Sequence, residues 1–97
     1  MLIVPEMFDE KSEQKYPLLF HVYGGPGSDT SGVSHSYFYD QFSAFMASNK
    51  SVINAFIDAR GNPNHGCKFM FDVYRKLGLV QVEDVLGVAK YEIIYDF

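Results

Sequence analysis

The stretch Pro17–Tyr23 is apolar almost throughout and ends abruptly at Gly24-Gly25-Pro26-Gly27. A run of strand length with no polar alternation has no face to give to water. It therefore predicts a strand covered on both sides, as in a parallel sheet. Ser51–Ile57, carrying Val52, Ile53, Phe56 and Ile57, is a second run of this kind, and the turn-rich segment Asp58–Gly66 follows it. Between the two, Ser28–Ser36 is rich in Ser, Thr, Asp and Gly and reads as a loop. Phe38, Phe42, Phe45, Met46 and Asn49 then recur at helical spacing, with Asp40, Gln41 and Ser48 off that face. Upstream, Met1–Val4 is a short apolar piece ending at Pro5, and Glu6–Lys15 is a polar loop. Downstream, Cys67–Leu77 predicts a short helix stopped at Gly78. Val80–Ile94 predicts a longer one with Val82, Val85, Leu86, Ala89 and Ile93 on one face. Glu83 and Asp84 lie near its start, where acidic groups complement the helix dipole. The order strand, strand, helix, strand, helix, helix predicts an α/β fold built on a parallel sheet with right-handed crossovers.

Composition narrows the functional classes. The 97 residues form one small domain, 1–97, whose 47% hydrophobic and 16% aromatic content is that of a folded chain. A net charge of −4 argues against nucleic acid or an anionic membrane as partner, because phosphate neutralisation needs a basic surface. Cys67 is the only cysteine, so no intrachain disulfide can form. No apolar run approaches the ~20 residues of a membrane-spanning helix. Asn49-Lys50-Ser51 has the form of an N-glycosylation acceptor, a tripeptide that chance also supplies.

The stretch Tyr23-Gly24-Gly25-Pro26-Gly27 carries the most chemical information. Glycines at the carboxyl end of a strand let the backbone approach a ligand closely, and bare amides suit an oxygen that bears negative charge. A phosphate loop would need a lysine after the glycines. A dinucleotide fingerprint would need a third glycine where Thr30 stands. No nucleotide cofactor is therefore expected. Taken alone, Gly24-Gly25-Pro26-Gly27 reads equally as a plain tight turn.

Three ordered blocks resemble the catalytic domain of the dipeptidyl peptidase IV and fibroblast activation protein group, serine peptidases of the prolyl oligopeptidase clan. The first is Lys15–Ser28, with Tyr23-Gly24-Gly25-Pro26-Gly27 at its end. The second is Ile57-Asp58-Ala59-Arg60-Gly61, where Ala59 stands in place of the family's glycine. The third is Tyr74-Arg75-Lys76-Leu77-Gly78 with Val82-Glu83-Asp84. The resemblance covers roughly residues 1–90. It implies an α/β-hydrolase fold, here in part, with peptides as substrates. It gives Tyr23 the role of a phenol donor in the oxyanion hole, supported by the backbone of Gly24 and Gly25. Relatives in this group are single-pass membrane proteins with external catalytic domains or cytosolic enzymes, so the compartment stays open. The resemblance also leaves room for a homo-oligomer, or for a non-catalytic fragment or pseudoenzyme pairing with a full-length relative. A different α/β hydrolase, such as an esterase, is disfavoured by the block that runs from Arg75 to Asp84.

The triad of such enzymes needs a serine on a Gly-x-Ser-x-Gly elbow, followed by an aspartate and a histidine. The nearest match, Gly32-Val33-Ser34-His35-Ser36, lacks the last glycine and has no strand leading directly into it. The expectation is a catalytic domain cut before its elbow, and inactive alone. His21 reads as a satisfied strand histidine. Asp58 and Arg60 read as a pair or as a brace of their loop. His65 with Cys67 makes at most half of a metal site, so no metal is expected. On the hydrolase sheet the strand bearing Tyr23 has a neighbour on each side. With only Ser51–Ile57 present, it predicts an open edge that would recruit a partner.

Overall fold

A computed structural model describes residues 1–23 and 41–94. The described elements are β1 (Leu2–Ile3), β2 (Leu18–Tyr23), α1 (Gln41–Lys50), β3 (Ile53–Asp58), a 3-10 turn (Pro63–His65), α2 (Cys67–Phe71) and α3 (Val80–Ile94). The sheet order is β1-β3-β2. β2 and β3 run parallel in the register Leu18↔Ile53 to Tyr23↔Asp58. Ile53 opens the ladder by donating its N–H to the Pro17 carbonyl at 2.9 Å. The two apolar runs thus lie side by side as the α/β reading requires. The all-parallel expectation is corrected at β1, which pairs antiparallel with β3, Leu2 facing Ala55 and Ile3 facing Asn54. The pairing reaches the amino terminus: Phe56 donates its N–H to the Met1 carbonyl at 2.8 Å, and the Met1 ammonium donates to the Phe56 carbonyl at 3.1 Å.

β3 is the centre of the core. Ile53, Asn54, Ala55, Phe56 and Ile57 are all buried, which is what a middle strand with cover on both faces demands. Ser43 and Ala47, one helical turn apart, are the buried residues of α1. Asn54 of β3 donates from Nδ2 to the Ser43 carbonyl at 3.3 Å and to the Val52 carbonyl at 3.1 Å. Small side chains at 43 and 47 let the helix approach the sheet closely. This corrects the apolar face read from spacing, because Phe42 and Phe45 are 55% and 49% exposed. α1 ends at Ser51, whose φ of 53° is left-handed, and Val52 then returns its N–H to the Met46 carbonyl at 3.1 Å.

Two further helical expectations change. α2 stops at Phe71 rather than running to Leu77, and residues 72–79 proceed through turns, with Arg75 at φ 59° and Gly78 at φ 85°. A left-handed residue cannot continue an α-helix. α3 occupies the expected span, but among its described residues Val80 is buried while Val82 and Leu86 are 53% and 51% exposed. Among the described residues, no helix is long and apolar enough to cross a membrane.

Candidate active site

β2 and β3 end together, with Tyr23 opposite Asp58. The carboxyl end of a parallel strand pair is where α/β folds place ligands, because the following loops converge there. Two residues back along each strand, the His21 ring stacks on Phe56 with centroids 4.4 Å apart and planes 10° from parallel. His21 Nε2 lies 3.1 Å from Asn54 Oδ1 and 3.4 Å from Ser43 Oγ. His21 is thus a satisfied strand histidine, as the sequence suggested, and it locks β2, β3 and α1 together one layer below the mouth.

The segment after β3 is held by two polar clusters. Asp58 accepts from Asn62 Nδ2 at 3.2 Å through Oδ1, and its Oδ2 lies 2.9 Å from His65 Nε2. His65 also meets the Phe69 ring edge-on at 4.9 Å between centroids. Asn62 is fully buried and Gly61 sits at φ 104°, a conformation that suits a residue without Cβ. The second cluster centres on Arg60. Its backbone N–H donates to Asp84 Oδ2 at 2.8 Å, and its guanidinium grips the same carboxylate through Nε at 3.0 Å and Nη2 at 2.7 Å. Nη1 donates to Asp72 at 3.1 Å, and Nη2 stands 3.6 Å from Glu83. Hydrogen bonds from the Arg60 side chain hold the Asp84 carboxyl below its ordinary value of 3.8, and partial desolvation offsets some of that shift. The same bonds, to Asp84 first and Asp72 second, push the Arg60 guanidinium still further toward its protonated form. Arg60 therefore braces its loop, as expected, with its partners on α3 and in the turn after α2.

Ala59, in the place of a family glycine, is completely buried and is not among the described residues at positive φ. The strand end passes through this position in a conformation open to any L-residue, so alanine fits. Sequence reasoning placed Asp84 near a helix start but missed its bond to Arg60. The signal available was that both residues sit in recognisable blocks. The Tyr23 side chain, residues 24–27 and residues 32–36 lie outside the described residues. Among the described residues, no group of three metal-ligating side chains converges.

Residues 37–94 match the prolyl oligopeptidase family. The chain belongs to that family. Within the prolyl oligopeptidase family it is 45% identical over 89 residues to venom dipeptidyl peptidase 4 of Vespa velutina, an alignment covering 92% of this chain and 11% of that protein. It is 40% identical over 91 residues to prolyl endopeptidase FAP of Homo sapiens, covering 93% of this chain and 11% of that one. A crystal structure from Bacteroides ovatus, described as a dipeptidyl aminopeptidase IV, superposes with a TM-score of 0.82 at 29% identity, covering 99% of this chain and 13% of that one. The chain thus spans about a tenth of the length of the curated relatives it matches. The partial α/β-hydrolase reading holds: this is a prolyl oligopeptidase family segment carrying the parallel strand pair, its crossover helix and the Arg60-anchored turn.

Proposed function

We propose that these residues form the oxyanion side of a serine dipeptidyl peptidase active site. In this reading Tyr23 directs its phenol, with the amides of Gly24 and Gly25, at the oxygen of a scissile peptide carbonyl. Negative charge develops on that oxygen as a serine attacks, and donors placed around it stabilise the transition state more than the ground state. A well-placed donor of this kind contributes roughly 3–4 kcal/mol. The observation that carries the reading is the register Tyr23↔Asp58, which sets the residue before the glycines at the carboxyl end of a parallel pair. The names of the relatives supply the reaction class, dipeptidyl peptidase for the venom proteins and prolyl endopeptidase for FAP. No serine in the sequence lies on a Gly-x-Ser-x-Gly elbow, so the nucleophile and its base come from outside these residues.

The test is a chimera in which this chain replaces the matching segment of a venom dipeptidyl peptidase 4. The chimera should cleave an Xaa-Pro chromogenic substrate, while the 97-residue chain alone should not. Tyr23→Phe in the chimera should lower kcat by about 10²–10³ with little change in KM. An unchanged kcat would remove Tyr23 from the site.

A second reading, a non-catalytic fragment that pairs with a full-length relative, is favoured by one observation. Among the described residues β2 is paired only with β3, and Val22 beside it is 43% exposed. Co-purification of a tagged chain with the full-length peptidase, lost on charging the β2 edge, supports this reading. Recovery of the chain alone counts against it.

A further inference from the structure

The Asn49-Lys50-Ser51 tripeptide falls where α1 gives way to β3, and all three residues are exposed. Asn49 is in the last turn of the helix, and its side-chain amide donates only to the neighbouring Ser48 hydroxyl, at 2.9 Å. Ser51, the residue two positions on, ends the helix at φ 53°. Among the described residues, no bond beyond that to Ser48 engages the Asn49 amide and none engages the Ser51 hydroxyl, while the buried face of α1 is formed by Ser43 and Ala47.

The same helix presents an unusual outer face. Phe42, Phe45 and Asn49 stand at i, i+3 and i+7, so they share one stripe, and the two rings on it are 55% and 49% exposed. A helical side chain leans toward the amino terminus and covers the turn before its own Cα. A group attached to Asn49 would therefore lie back over Phe45.

We propose that Asn49 is an N-linked glycosylation site, and that the first sugar of the glycan covers the Phe45 ring. In the modifying step the Asn49 amide nitrogen forms a bond to C1 of an oligosaccharide carried on a polyprenyl diphosphate. The bond from C1 to the phosphate oxygen breaks, the polyprenyl diphosphate leaves, and the nitrogen gives up one proton. The Ser51 hydroxyl completes the recognised tripeptide. The apolar ring face and the C–H face of a sugar are complementary, so the half-exposed Phe45 ring gains a cover. This inference is independent of the catalytic reading, since it concerns the outer side of α1 and not the mouth of the sheet.

The experiment is translation of the chain, fused to a cleavable secretory leader, in the presence of microsomes. Import is scored by leader removal and protease protection, so folding is not required. The imported wild-type chain and Ser51→Thr should migrate more slowly and return to the unmodified position with peptide N-glycosidase, which leaves aspartate at position 49. Asn49→Gln and Ser51→Gly should not shift. A protected chain that stays unshifted overturns the proposal. The cover is tested on the glycosylated protein: glycosidase treatment should raise binding of an apolar dye, and Phe45→Ser should abolish that rise. Dye binding unaffected by the glycosidase overturns the contact with Phe45.

Discussion

Val22 and Ile57 face each other in one register of one parallel ladder, and both are β-branched aliphatics near the ends of six-residue strands. Ile57 is 7% exposed and Val22 is 43% exposed. The difference lies in their neighbours. β3 is the middle strand, with β1 along Asn54 and Ala55 and with Ile57 set among Phe69 and Val88, whereas β2 has no second strand among the described residues. Beside Val22, the open residues of α3, Val82 and Leu86, form an apolar wall with few polar atoms. Apolar sequence thus states that a strand is built to be covered, but not by which part of the molecule.

The largest effect expected from this contrast is at the covered member. Ile57→Ala should lose about 2–4 kcal/mol, from lost transfer energy and the cavity left behind, measured by urea denaturation at low concentration. A loss near that of an exposed site would erase the distinction between the strands.

Next in size is the anchor beyond Ile57. The Asp84 carboxyl is held below 3.8 by Arg60, so its contribution is complete above that pH and erodes as the pH falls below it. Stability profiles of the wild type and Asp84→Asn should therefore be separated at neutral pH and converge in acid. Parallel profiles would show that the pair does not hold the β3 end.

Gly87 on α3 tests the outer layer. A Cβ built there meets nothing within 4 Å, so Gly87→Ala should stabilise by about 0.5–1 kcal/mol, read as a higher urea midpoint. The smallest effect belongs to the open member of the pair. Val22→Lys should change stability by less than about 0.5 kcal/mol while reducing self-association in sedimentation, because a charge blunts a strand edge. A loss as large as that of Ile57→Ala would mean that Val22 is covered after all.

These contrasts also mark how far the sequence could be read. β2, β3 and α3 were legible because uninterrupted apolar runs, glycine stops and a long periodic segment have few alternative folds. The inward side of α1 was not. Ser43 and Ala47 carry little hydrophobic signal, yet they touch the sheet, because close approach of a helix rewards small side chains over large ones. The early end of α2 was equally hidden, since nothing about Arg75 announces a left-handed backbone. At the candidate site the strand-end position of Tyr23 followed from Pro17–Tyr23 stopping at glycine. The bond from Arg60 to Asp84, 24 residues apart in sequence, could not follow from any local pattern.

The Arg60 cluster has a consequence for how this chain can change over time. One cation serves three anions, Asp72, Glu83 and Asp84, drawn from the turn after α2 and from α3. A lineage that lost the arginine first would gather three uncompensated negative charges at one junction, and repulsion would be added to the missing bonds. Asp72 and Glu83, each meeting the arginine through one exposed contact, can drift singly while the arginine stays, whereas losing either Asp84 or the arginine breaks the shared bonds at once. Substitution at these four positions therefore has a preferred order, imposed by charge rather than by catalysis.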